Sequence, residues 1–145
     1  MRNKLDGVMT DGIYDFKLAT QSQFEAVESS LTTTNEVQST DSPKKIYVWK
    51  DNDIIYYYSS ADVLYLPADA SDFFSPKKWN TNKLFRSIEL TKFNSLKTTK
   101  FYEFFRYQSE LTEIIGLENL NTSKATDLSI MFDTCKKLET IDLSS

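Results

Sequence analysis

The 145-residue chain has no histidine, one cysteine, three glycines and three prolines, and each shortage removes a class of chemistry. Without histidine there is no imidazole base, no Ser-His-Asp or Cys-His unit and no His-containing zinc site. Cys135 alone neither closes an intrachain disulfide nor builds a thiolate cage. Gly7, Gly12 and Gly116 lie too far apart to cradle a phosphate, so the dinucleotide fingerprint and the P-loop are both absent. No run approaches the roughly 18 apolar residues of a membrane span, so no membrane insertion is expected. The opening MRNKLDGVMTDG lacks the apolar stretch of a secretory signal. Basic residues number 17 against 21 acidic ones, and they come in pairs such as Lys77–Lys78 and Lys136–Lys137 rather than in patches. That balance argues against nucleic acid as a partner. What is present is a chain of single-domain length, 40% apolar and 14% aromatic, enough for a real core. It is expected to need no catalytic residue, metal or cofactor.

Gly12–Ala19 alternates, with Ile13, Asp15 and Lys17 on one side and Tyr14, Phe16 and Leu18 on the other, which predicts a strand. Ser22 and Glu25 read as a capping box for a short helix whose Phe24, Val27 and Leu31 share a face. From Ser29 to Ser42 the chain is dominated by Ser and Thr and closed by Pro43, a loop or linker. KIYVW (Lys45–Trp49) and IIYYY (Ile54–Tyr58), joined by KDND, predict a β-hairpin. Asp51 and Asp53 are turn formers there, not a carboxylate pair for acid–base work. Val63–Leu66 predicts another strand, and Asp69 or Ser71 is placed to cap a brief helix carrying Phe73 and Phe74.

The last sixty or so residues repeat. A shift of 27 pairs Leu90 with Leu117, Phe93 with Leu120, Asn94 with Asn121 and Lys97 with Lys124. It also pairs Phe101 with Leu128, Phe104 with Met131, Phe105 with Phe132 and Leu111 with Leu138. One residue then drops out, which we read as a bulge at Ile114–Gly116 in a strand. Each unit combines a short strand, as in Leu138, Ile141 and Leu143, with an apolar i, i+3, i+4 set at Leu128, Met131 and Phe132. The latter predicts a helix of about two turns starting from Thr122 or Ser123. Such a unit cannot bury both faces alone, whereas stacked copies can.

The run I-x-G-L-E-N-L-N-T-S-K-A-T-D-L-S-I-M-F-x-x-C-x-x-L-x-x-I-D-L-S, from Ile114 to Ser144, resembles the repeat of BspA-type leucine-rich repeat surface proteins of bacteria. The match is close over Leu111–Ser145 and looser, in register, over Phe85–Glu110. Lys44–Phe74 is similar to what precedes the repeats in many such proteins. Phe73–Phe74 and Phe104–Phe105 stand where the repeat has Met-Phe, and Gln108 stands where it has Cys, so the earlier units read as a capping module. The resemblance implies an extracellular or cell-surface binding scaffold, often adhesive, with no catalytic residues.

These readings give an α/β fold: a leucine-rich-repeat-like solenoid with an N-terminal helix and β-hairpin cap. Residues 1–43 form an N-terminal segment, 44–84 the hairpin and capping rung, and 85–145 two repeats, the last truncated. With Ile88, Leu90, Leu117, Ile141 and Leu143 facing in, Glu89, Thr91, Glu118, Thr140, Asp142 and Ser144 face out on one sheet. That polar face either stays solvated or holds a ligand. Trp49 and Tyr57, in an aromatic hairpin with Tyr47, Tyr56 and Tyr58, either stack on a sugar or protein or bury one face in the fold. Cys135 is expected to be a small buried hydrophobe. The expected function is non-enzymatic recognition or adhesion, binding a protein or glycan on a host or neighbouring cell through the repeat face. The alternative is a structural fibre or decoration protein of a phage-like particle, located in the virion. The rung ending at Leu143–Ser145 is expected to be covered by further repeats or another subunit.

Overall fold

The computed structural model describes residues 1–37, 44–76 and 81–142. Expectations for Pro43, the Lys77–Lys78 pair, Leu143, Ser144 and the later part of the Ser/Thr-rich stretch fall outside those residues. The chain forms α1 (Arg2–Val8), β1 (Gly12–Leu18), α2 (Gln21–Glu25), β2 (Tyr47–Asp51) and β3 (Ile54–Tyr58). There follow β4 (Leu64–Tyr65), β5 (Lys83–Glu89), β6 (Phe93–Asn94) and β7 (Glu113–Ile115), with single 3₁₀ turns at Glu28–Ser30, Thr33–Asn35 and Leu117–Asn119. The result is a mixed α/β fold with few helices and a mostly parallel sheet, ordered β2-β3-β1-β5-β7. Within that sheet the β2–β3 hairpin pair is antiparallel and the other pairs are parallel; β4 and β6 form a separate parallel pair.

Strand β1 carries the expected alternation, with Tyr14 and Phe16 buried. It is the middle strand, parallel to β3 and β5, so that Phe16 faces Ile55 on one side and Ile88 on the other. The Phe16 ring stacks on Tyr57 at 4.8 Å and meets Phe74 and Phe85 edge-on. Helix α1, for which the sequence offers no periodic pattern, buries Leu5 in the same core.

Helix α2 starts two residues earlier than the Ser22–Glu25 box implies. Thr20 is the cap: its Oγ1 accepts from the Gln23 amide at 3.2 Å, and Gln23 Oε1 accepts from the Thr20 amide at 2.9 Å. Glu25 is taken instead by Gln21 Nε2, at 2.7 Å. A Gln serves at the fourth position of the box as a Glu does.

The two other expected helices are absent. At 69–74 the Asp69 carboxylate accepts from the Ser71 amide at 3.0 Å, Asp72 takes a left-handed φ of 56°, and the segment runs as turns. At 123–135 the chain again runs as turns, closed by Met131 to Leu128, Asp133 to Ile130 and Cys135 to Phe132 amide–carbonyl bonds. Left-handed residues recur along these segments, at Asp72, Glu103 and Ile130 and again at Tyr107 and Thr134. A helix would spend every peptide group along its own axis. Here alternate peptide groups bond sideways to a neighbouring segment, and the apolar i, i+3, i+4 spacing serves that arrangement equally well.

Three such segments lie side by side in parallel, with Asp69 opposite Lys100 and Lys100 opposite Asp127. Their phenylalanines stack across the rows: Phe73 on Phe104 at 5.3 Å, Phe74 on Phe105 at 5.7 Å, and Phe105 on Phe132 at 5.2 Å, with interplanar angles of 4°, 5° and 16°. Phe74, Phe101, Phe104 and Phe105 are fully buried and dominate the core.

The bulge expected at Ile114–Gly116 is also placed differently. Strands β5 and β7 pair without a break, Ser87 to Glu113, Ile88 to Ile114 and Glu89 to Ile115. The register shift of the sheet lies instead between Tyr14 and Asp15, opposite β5. The extra residue of the repeat is absorbed just after β7 by Gly116 at φ 79°. A Cβ there would come within 2.7 Å of the Thr91 amide nitrogen, so both the conformation and the space call for glycine.

Candidate functional site

The seven residues expected at a binding face separate into three groups. Trp49 and Tyr57 are buried, so neither is at the surface to stack on a ligand, whereas Tyr47, Tyr56 and Tyr58 of the same hairpin are half-exposed. Trp49 joins Ala19 and Phe24 in a small second core and stacks on Tyr56 at 5.5 Å. Tyr57 is fully enclosed; its Oη makes no hydrogen bond of good geometry, although the Thr91 side chain and Lys92 backbone adjoin it. Burial, reinforced by the negative charge of Glu89, pushes its pKa far up.

Glu89 and Thr91 form a second group with structural partners. Glu89 Oε2 accepts from the Leu18 amide at 3.1 Å, closing the end of β1, and Oε1 accepts from Thr91 Oγ1 at 2.8 Å. The backbone of Thr91 is the surface that Gly116 approaches, and its carbonyl lies 3.4 Å from Asn119 Nδ2.

Glu118, Thr140 and Asp142 do come together. They line one open cavity of about 270 Å³ between β7, the 3₁₀ turn at Leu117–Asn119 and the extended segment that follows Leu138. Thr112 and Glu113 complete the polar lining, and Ile114, Leu117, Leu138 and Ile141 supply the apolar walls. Three carboxylates and two hydroxyls over an aliphatic floor can accept hydrogen bonds from ammonium, guanidinium or sugar hydroxyl groups. The floor can hold the aliphatic stem of such a group. Ile141, expected to face inward, is 41% exposed along this opening, whereas Ile88, Leu90 and Leu117 are buried as expected.

Sequence reasoning missed Thr112 and Glu113. The signal was the pairing at a shift of 26, which sets Ile114 beside Ile88 and therefore turns Glu113 and Ile115 outward. Cys135 is half-buried, and its Sγ donates to the Phe105 carbonyl at 3.2 Å; burial pushes its thiol up to about 11. Among the described residues no helix is long and apolar enough to cross a membrane. No family model, curated protein or solved structure matches the chain.

Proposed function

We propose that the chain is a non-enzymatic recognition or adhesion module, built as a leucine-rich-repeat-like solenoid and presented at the cell surface. Its partner is a protein or glycan on a host or neighbouring cell. The single observation that supports this reading is the cavity that gathers Glu118, Thr140 and Asp142 with Glu113 and Thr112. A rigid, acidic, open hollow over an aliphatic floor suits a lysine or arginine side chain or a sugar ring, with little to order on binding. The stacked parallel rows behind it support the solenoid reading, because each row bonds chiefly to its neighbours.

The test is a screen of glycans and basic peptides against the purified chain, repeated with Glu118→Lys and Asp142→Lys. We expect a ligand whose affinity falls at least tenfold in both variants, about 1.4 kcal/mol each. Ligands that bind the variants as well as the parent, or turnover of a screened glycan, would overturn the reading. A second reading, a fibre or decoration subunit of a phage-like particle, is favoured by exposed Leu128, Ile130 and Ile141. A stable trimer or larger ring in light scattering would select it.

A further inference from the structure

The three parallel rows are joined by hydrogen bonds of a single sense. Amides of Ala70, Asp72 and Phe74 donate to carbonyls of Lys100, Tyr102 and Phe104 at 3.0, 3.0 and 2.9 Å. Amides of Phe101, Glu103, Phe105 and Tyr107 then donate to carbonyls of Asp127, Ser129, Met131 and Asp133 at 2.8, 3.2, 2.9 and 2.9 Å. The same positions in the third row are the amides of Leu128, Ile130, Phe132 and Thr134. Among the described residues these four have no acceptor. The outer edge therefore presents a ladder of donors beside Leu128 and Ile130, which are 44% and 41% exposed.

Side chains across the rows pair opposite charges at three places, although Asp72 and Glu103, which also meet across the rows, are both acids. Lys100 pairs with Asp69 at 3.6 Å and stands opposite Asp127 on its other side. Arg106 Nε donates to Asp133 at 2.9 Å, and Lys137 Nζ to Glu110 at 2.5 Å. The aromatic column Phe74–Phe105–Phe132 runs through the same rows, and Phe132 stays half-buried at its end.

We propose that this edge docks a parallel polypeptide strand supplied from outside these residues. The strand carries a basic residue opposite Asp127, an aromatic over Phe132, a basic residue opposite Asp133 and an acidic one opposite Lys137. Its spacing is that of Lys100, Phe105, Arg106 and Glu110, the one row here that already satisfies Asp-Lys-Asp alternation. Its carbonyls take the four free amides, as in strand addition to a sheet edge. An anion such as free phosphate fits the donors but meets the Asp127 and Asp133 carboxylates beside them. A second copy stacked head to tail would bring Asp69 onto Asp127 and offer Asp133 only Ser75. The proposal is independent of the acidic cavity.

The test tethers a peptide with the sequence of residues 98–111 to the full chain through a flexible Gly/Ser linker. Tethering raises its effective concentration to about the millimolar range. Amide exchange at Leu128, Ile130, Phe132 and Thr134 should slow at least tenfold. A tethered peptide with Lys100→Asp, Arg106→Asp and Glu110→Lys changes should give no such slowing. Protection should return when the swapped peptide is combined with Asp127→Lys, Asp133→Lys and Lys137→Glu in the protein. Equal protection by both peptides, or by neither, would overturn the proposal. So would protection in the untethered chain together with a doubled mass, which would make a second copy the occupant.

Discussion

Gln108 and Cys135, 27 positions apart, make the same bond one row apart: each side chain donates to the carbonyl of a phenylalanine in the preceding row. Gln108 Nε2 reaches Phe74 at 2.7 Å, and Cys135 Sγ reaches Phe105 at 3.2 Å. The amide does more than the thiol, because its Oε1 also accepts from the Phe85 amide at 2.8 Å and so ties β5 to the turn rows. Both groups give a backbone polar atom a hydrogen bond that an apolar side chain could not supply.

Gln108→Leu, close in volume and without hydrogen-bonding capacity, withdraws a partner from two interior backbone groups at once. We expect a loss of about 2–4 kcal/mol, on the scale of 1–3 kcal/mol for each buried polar group deprived of a bond. Urea unfolding of the variant checks this. A loss below about 0.5 kcal/mol would show that neither bond matters.

Gly116→Ala forces a Cβ into the Thr91 backbone and a side chain into the left-handed region. Backbone strain alone is worth about 1–3 kcal/mol, and the contact adds to it. The expected result is a lower unfolding midpoint, with faster amide exchange at Leu90 and Thr91 before any effect at β2. Unchanged exchange there would refute the close approach.

In the aromatic column, Phe105 is enclosed on both faces and Phe132 on one. Phe105→Ala should cost about 3–5 kcal/mol, the range for a large buried aromatic. Phe132→Ala should cost less than half of that. Comparable losses would mean the column is equally covered at both positions.

Asp15 gives a pH dependence with a definite sign. Burial works to raise its pKa, but hydrogen bonds from Arg86 and Ser87 and the charges of Arg86 and Lys17 outweigh it and hold the carboxyl below its usual value. A carboxylate depressed on folding stabilises fully above the unfolded pKa of about 4 and loses that contribution as pH falls through the folded value. Asp15→Asn should therefore lower stability at pH 7 by about 1 kcal/mol, discounted because Arg86 is half exposed, and flatten the acid limb of the stability curve. Parallel parent and variant curves below pH 4 would rule Asp15 out.

How much of this was legible in the sequence depended on whether the signal was local. Tyr14 and Phe16, the Ile54–Tyr58 strand and the paired phenylalanines stood out because alternation and the 27-residue shift are visible within one or two repeats. The helix expected around Leu128, Met131 and Phe132 was misread because tight turns give the same apolar spacing. The left-handed residues that break a helix there are Ile130 and Thr134, as Glu103 and Tyr107 are in the row before, rather than glycine, so no composition cue announced them. Glu118, Thr140 and Asp142, expected to face outward, line one cavity, whereas Trp49 and Tyr57 looked available because α2 and β1, which cover them, are distant in sequence. The central position of β1 was illegible for the same reason: parallel partners leave no turn between them to read.

That central position has a kinetic consequence. Phe16 leaves the ribosome long before its two strand partners, Ile55 and Ile88, which lie 39 and 72 positions downstream. At about 5–20 residues per second, β1 spends about 2–8 s with both edges open, and about 4–14 s before its second partner is made. The strand made earliest is thus the one longest dependent on a chaperone or on transient local cover, and substitutions in β1 should reduce yield during synthesis more than they reduce the stability of the finished fold.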